Sequence, residues 1–209
     1  MTTDVRDRLN ELAGIRGETL ARIAARSQAQ LDFSPRPGRW SIGEIADHLR
    51  LSELLWRREI AQLVALARSG QPARLSHSFA EINVSPLHIP DRILTMLDVP
   101  FGIVNRFVPA AVAAMMVELP ILPMRNPDSA TPQPRRPRAD LIADLRVAFE
   151  ETRRLIDENA DLDFEQMVSS HPLMGSNTVP QIFGFLSRHE RRHQRQMVRA
   201  ESEPRFPPG

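Results

Sequence analysis

The sequence contains no lysine, no cysteine and no tyrosine among its 209 residues. Without lysine there is no Schiff-base nucleophile. Without cysteine there is no thiolate nucleophile, no thiolate-ligated zinc and no disulfide, and thiol usage says nothing about compartment. Without tyrosine there is no phenolic acid. Chemistry therefore falls to histidine, the carboxylates, arginine, serine and threonine. The 27 basic residues are all arginines, set against 26 acidic ones for a net charge of +1. A pI near 8.9 does not by itself point to nucleic acid. No run of 18 apolar residues occurs, and the richest stretch, 101–119, is broken by Arg106, Pro109 and Glu118, which argues against a membrane span. The opening MTTDVRDRLNELAG is polar and helix-like rather than a leader, so a soluble cytoplasmic protein is expected. With 42% hydrophobic and 25% charged residues, the length fits one domain, 1–209, with a full core.

Four segments carry helical periodicity. The first, from Asp4 as N-cap to about Arg26, aligns Val5, Leu9, Leu12, Leu20 and Ile23, with Arg16 and Thr19 inside the stripe. An arginine there is expected at the stripe's edge, its stem packed and its head in water. The alternative is an anion-binding arginine facing an internal cavity. After FSPRPGRW, Ser41 and Glu44 form a capping-box pattern for a second helix that ends at Gly70. On it Ile45, Leu49, Trp56, Ile60 and Leu63 share a side, and Glu44, His48, Ser52 and Leu55 form the adjacent edge. The third helix, from Arg138 to about Asn159, aligns Leu141, Leu145, Ala148, Thr152 and Leu155. Asn177 or Thr178 caps the fourth, 180–200. Residues 70–90 read as irregular, 91–118 as apolar helical pieces, and 120–137, with six prolines, as an extended linker. No strand is expected. The pattern predicts an all-α four-helix bundle with a Pro-rich, partly helical insertion, about 71–137, between the second and third long helices.

The fourth helix sets the functional question. Its stripe runs Ile182, Leu186, His189, His193, Met197, so two histidines stand where leucines belong. At i, i+4 they lie one turn apart and could share a metal ion, or they could be core histidines satisfied by hydrogen bonds. His48 points inward or nearly so from the second helix.

Two stretches together resemble a known family: RPGRWSIGEIADHLRLSE (36–53) and HPLMGSNTVPQIFGFLSRHERRHQRQM (171–197) are similar to the signatures of the DinB-like (DinB/YfiT) four-helix-bundle family. The resemblance covers about 1–70 and 138–200. It implies that His48, His189 and His193 bind one divalent metal, with zinc or nickel the expected ion. Glu44 and Ser52 become candidates to support His48, and His171 a further pocket residue. His77 and His88, in the unmatched segment, are expected to face solvent.

The resemblance further implies a metal-dependent enzyme acting on a small molecule, foremost an S-transferase or isomerase using a low-molecular-weight thiol. A hydrolase using metal-activated water is the alternative, and a non-catalytic metal-containing binding or stress-response module a third. The HERRH sequence is also a literal H-E-x-x-H, but zincin spacing beyond it is missing, so a protease is disfavoured. Glu190, about 100° round from His189, is expected to orient a ligand or pair with surface arginines. Neither nucleic acid nor membrane is an expected partner. A homodimer through the apolar 101–119 segment is one use for that surface.

Overall fold

A computed structural model describes residues 4–77, 130–171 and 175–209. Its helices are α1 (Val5–Ala24), α2 (Gln28–Leu31), α3 (Ile42–Arg68), α4 (Arg138–Asp157) and α5 (Val179–Glu201), with strands β1 (Arg74–Ser76), β2 (Val168–His171) and β3 (Gly175–Thr178). The apolar 101–119 segment, the prolines from Pro86 to Pro127 and His88 lie outside the described residues.

The caps start the helices where the sequence places them. Asp4 accepts from the Arg6 N–H at 3.1 Å and opens α1. Ser41 and Glu44 close a reciprocal box at the start of α3, with Ser41 N–H to Glu44 Oε2 at 2.8 Å and Glu44 N–H to Ser41 Oγ at 3.1 Å. Gly70 ends α3 with a φ of 72°, a left-handed turn that a side chain would resist. The Thr178 N–H donates to the Gln181 side chain at 2.9 Å at the start of α5.

In cross-section α1 packs chiefly on α5, and α3 chiefly on α4. The pairs α1–α4 and α3–α5 complete a four-helix square. The short helix α2 seats against the start of α3. A Cβ on Gly43 would meet the Leu31 carbonyl oxygen at 3.2 Å, so glycine permits that approach.

At one end of the bundle lies a small three-stranded sheet, in which β1 pairs parallel with β2 and β2 antiparallel with β3. This corrects the expectation of no strand. The strands are three or four residues long and rich in serine, so no hydrophobic alternation announces them. They form because backbone groups at the bundle's end must find partners.

The core falls into two apolar clusters. One, at the sheet end, contains Val5, Leu9, Leu12, Ile60, Leu63, Phe149, Ile156, Ile182, Phe183 and Leu186. The other contains Ile23, Leu31, Ile42, Ile45, Leu49, Leu141, Leu145, Met197 and Ala200. Between them every long helix contributes polar groups: Arg16 and Thr19 from α1, His48, Ser52 and Glu53 from α3, Thr152 from α4, and Ser187, Glu190 and His193 from α5, all buried. The bundle is thus apolar at both ends and polar across its middle.

Candidate metal centre

The apolar residues on either side aim the polar layer. Ile182, Leu186 and Met197 are buried, which turns the intervening face of α5, with His189 and His193, into the bundle. Ile45, Leu49 and Ile60 do the same for α3 and bring His48 inward.

His189 Nε2 lies 3.1 Å from His193 Nε2 and 3.3 Å from His48 Nε2. The three ligand atoms lie within 4.8 Å of one another. Among the described residues this is the one such group of His, Asp or Glu side chains that could hold an ion. His48 and His193 are buried, and His189 is half-buried as a residue.

The other ring nitrogens are already committed. His48 Nδ1–H donates to the Ala130 carbonyl at 2.9 Å, and His193 Nδ1–H to Gln196 Oε1 at 2.8 Å. Each bond places the proton on Nδ1 and leaves Nε2 with a lone pair directed at its neighbours. Burial keeps the rings neutral. It pushes the His193 pKa down to about 3, with the neighbouring His48 adding to the effect. Burial likewise lowers His48, and lowers His189 well below the ordinary histidine value, there with the charges of His193 and His48 contributing. Arg192, which the sequence reading left aside, adds its positive charge to the depression at all three rings. It stands three residues after His189 on α5, a spacing that could have singled it out.

Neutral imidazoles with convergent lone pairs are a metal-ligand set. Two nitrogens bound at ~2.0–2.1 Å to one tetrahedral ion sit roughly 3.3 Å apart, close to the separations of 3.1 and 3.3 Å found here. The residues present fit a divalent cation.

Aromatic rings wall the group. The Trp40 ring centre lies 4.7 Å from that of His48 and 6.2 Å from that of His193. Phe185 stacks on His189 at 5.6 Å and contacts Trp56 at 5.7 Å. Ser52 Oγ lies 3.4 Å from His48 Nε2, so the hydroxyl borders the ligand atom itself. Glu44 takes another role: its carboxylate is bonded to the Ser41 N–H as a helix cap.

Behind the histidines, Arg16 is 4% exposed, neither at the surface nor open to an anion. Its Nε donates to Glu190 Oε1 at 3.0 Å, its Nη2 to Glu190 Oε2 at 3.0 Å, and its Nη1 to the Leu145 carbonyl at 3.1 Å. Arg16 Nη1 also lies 2.7 Å from Glu53 Oε2. Thr19 Oγ1 donates to Glu190 Oε1 at 2.6 Å. Burial alone would lower the Arg16 pKa, but the charges of Glu190 and Glu53 outweigh it and raise it. Glu190, 1% exposed, pairs with no surface arginine. Committed to Arg16 and Thr19, it is no general base, which removes the structural ground for a zincin reading of HERRH.

The other two described histidines stand apart from the three. His77, expected in solvent, is half-buried and bonds Glu59 Oε1 through Nε2 at 2.8 Å, and Glu59 also accepts from Ser169 Oγ. His171, half-buried at the end of β2, has its pKa pushed down to about 4 by burial and by His77, and it is no member of the three-histidine group. No helix among the described residues is long and apolar enough to cross a membrane.

Residues 11–197 match the family model described as the DinB superfamily. Among solved structures, YfiT from Bacillus subtilis is similar with a TM-score of 0.54 and 14% sequence identity, over 96% of this chain and 87% of YfiT. YfiT is described as a probable metal-dependent hydrolase with an unusual four-helix bundle topology. At that identity the likeness speaks to fold. No curated protein matches the chain.

Proposed function

Because the chain belongs to the DinB superfamily and gathers three imidazole Nε2 atoms in its polar layer, we propose that it is a metal-dependent hydrolase whose divalent ion is held by His48, His189 and His193. The observation that carries this reading is the convergence of three neutral ring nitrogens at metal-ligand spacing. The description of YfiT supports the same class of chemistry. Zinc or nickel suits an all-imidazole set.

An ion held by three neutral donors keeps positions for water and substrate, polarises a carbonyl or phosphoryl oxygen, and brings a nucleophile towards its anionic form near neutral pH. The chain's own residues do the rest. The Ala130 carbonyl and the Gln196 side chain hold His48 and His193 as Nδ1–H tautomers, so their Nε2 atoms stay available. Trp40 and Phe185 keep bulk water off the rings, which strengthens electrostatic interactions inside. Ser52 Oγ, beside His48 Nε2, is placed to hydrogen-bond a small group at the ligand face.

A second reading is a transferase or isomerase in which a low-molecular-weight thiol takes the same open position. The absence of cysteine agrees with a thiol supplied by a separate molecule.

Elemental analysis of protein purified without a metal-affinity tag, parent beside His193→Ala, tests the common core. About one equivalent of a transition metal in the parent, lost in the variant, is the expected result. No metal in the parent, even after incubation with zinc or nickel, sinks both enzymatic readings and leaves a binding module. Turnover of activated esters, amides or phosphate esters by the loaded protein supports hydrolysis. Turnover of electrophiles only when a small thiol is added supports the transferase.

A further inference from the structure

The segment 130–137 runs past the polar layer immediately before α4. Pro132, Pro134 and Pro137 have no N–H to donate, so few backbone bonds can tie this stretch down. The most deeply buried side chain that bonds it is Asp47, adjacent to His48 in sequence but turned about 100° round α3.

Asp47 has no exposed surface. Its Oδ2 accepts from the Gln133 N–H at 2.8 Å, and its Oδ1 accepts from Arg50 Nε at 2.9 Å and from Arg136 Nη1. Arg136 bridges onward through Nη2 to Asp144 on α4, while its carbonyl accepts from Gln28 Nε2 at 3.0 Å. Arg135, with a φ of 57°, turns the chain so that Arg136 faces inward. At the near end of the same strap, the Ala130 carbonyl takes the His48 Nδ1 proton at 2.9 Å.

We propose that Asp47 is a positioning residue for the three-histidine centre: by clamping the 130–137 strap through Gln133 and Arg136, it holds the Ala130 carbonyl where it fixes the tautomer and ring orientation of His48. A metal-ligating histidine needs its second nitrogen bonded to keep the first one aimed. Here that bond goes to a backbone carbonyl with little regular structure behind it. With Asp47 removed, Arg136 and the Gln133 N–H lose their common partner. The strap then relaxes, and His48 is free to carry its proton on Nε2, where it cannot bind an ion. The geometric part stands without the metal; the consequence for affinity rests on the function proposed above.

Two measurements test it, on the parent, Asp47→Asn, Asp47→Ala and Arg136→Gln, with Arg68→Gln as control because Arg68 pairs with Asp161 at the surface. Long-range 1H–15N NMR on metal-free protein reads the His48 tautomer directly. The parent is expected to be Nδ1–H, and the Asp47 variants mixed or Nε2–H, with helix content by circular dichroism close to the parent's. Arg136→Gln, which leaves Asp47 in place, covers the case in which Asp47→Ala does not fold, and is expected to shift the same signal part of the way. Cobalt(II) titration reads the consequence: a loss of about 10–100-fold in affinity for Asp47→Ala, with a changed d–d spectrum, and affinity within about twofold of the parent for Arg68→Gln. A His48 that stays Nδ1–H in folded Asp47→Ala, or one that is not Nδ1–H in the parent, overturns the proposal. Cobalt binding and spectrum unchanged in a variant whose tautomer has shifted overturns the link to the metal. A parent that binds no cobalt defeats the metal reading itself, while the tautomer still decides the role of Asp47.

Discussion

At the scale of single residues, Arg16 departs furthest from what its sequence position suggests. An arginine in an apolar stripe snorkels by default, and nothing near it in sequence says otherwise. Its partners are 37 and 174 residues away, so only the folded bundle brings Glu53 and Glu190 to it. Such a cluster is costly to break from one side, because the carboxylates stay buried when their cation goes. Arg16→Met is therefore expected to lower stability by about 3–5 kcal/mol, measured by urea unfolding. Replacing Arg16, Glu53 and Glu190 together by methionine or leucine should recover most of it. Glu53 carries a second prediction. Burial raises its pKa above the ordinary 4.5, against the pull of Arg16. Between those two values the folded state binds more protons than the unfolded one, so this group's contribution to stability is full at low pH and is lost as pH rises past 4.5. The stability of Glu53→Gln relative to the parent should thus increase from pH 4 to pH 7. A difference that is flat or falls over that range would show Glu53 to be ionised throughout. The histidines were easier to read: His189 and His193 by their helical spacing, and His48 by the motif around it, because one-turn spacing and inward position are properties of the helix alone. The bond from His48 to Ala130, 82 residues away, had no such local signal.

At the scale of elements, the long helices follow from periodicity and caps. Ser41, Glu44 and Gly70 mark the ends of α3 within a residue, because caps are local chemistry. The sheet was hidden because β1, β2 and β3 are too short and polar to show a period, and their pairing depends on where the bundle ends. The position of His77 has no local signal for the same reason: placing it beside Glu59 takes the end of α3 and the sheet together. The sheet also makes stability depend on acid. His171 stays neutral in the folded protein down to about pH 4, whereas in the unfolded chain it takes up a proton near the ordinary 6.5. Between those values the unfolded state binds more protons, so this contribution is full above 6.5 and is lost as pH falls towards 4. His171→Leu should flatten the fall in the urea midpoint across that window. An acid limb as steep as the parent's would mean that the ring is already charged when folded.

At the scale of the whole molecule, the two apolar clusters form the ends of the bundle, and the layer between them combines buried polar groups with ring contacts from Trp40 and Phe185. Around Arg16, the buried carboxylate of Glu53 has its ion pair but no hydrogen-bond partner for either oxygen, and the Nε2 atoms of His48 and His193 both face that of His189. Without a cation one proton on His189 Nε2 is all that can link the three rings, and a bound cation would replace it with bonds that tie α3 to α5. The candidate ligands come from residues 48, 189 and 193, so the unfolded chain cannot assemble them, and an ion that binds only the folded state must stabilise it by mass action. At a free metal concentration about 1,000 times Kd the gain is about 4 kcal/mol. For a chain of this length, each kcal/mol shifts Tm by about 2–4 °C, so zinc or nickel should raise Tm by roughly 8–16 °C. The rise should continue with the logarithm of metal concentration, reverse with a chelator, and vanish in His48→Ala, whose α3 still has Ile45, Leu49 and Ile60 to hold it in place. A rise that survives in His48→Ala would locate the binding elsewhere. A parent whose Tm ignores the metal would mean that the bundle tolerates its polar centre without an ion, and the ion could then have no part in holding α3 to α5.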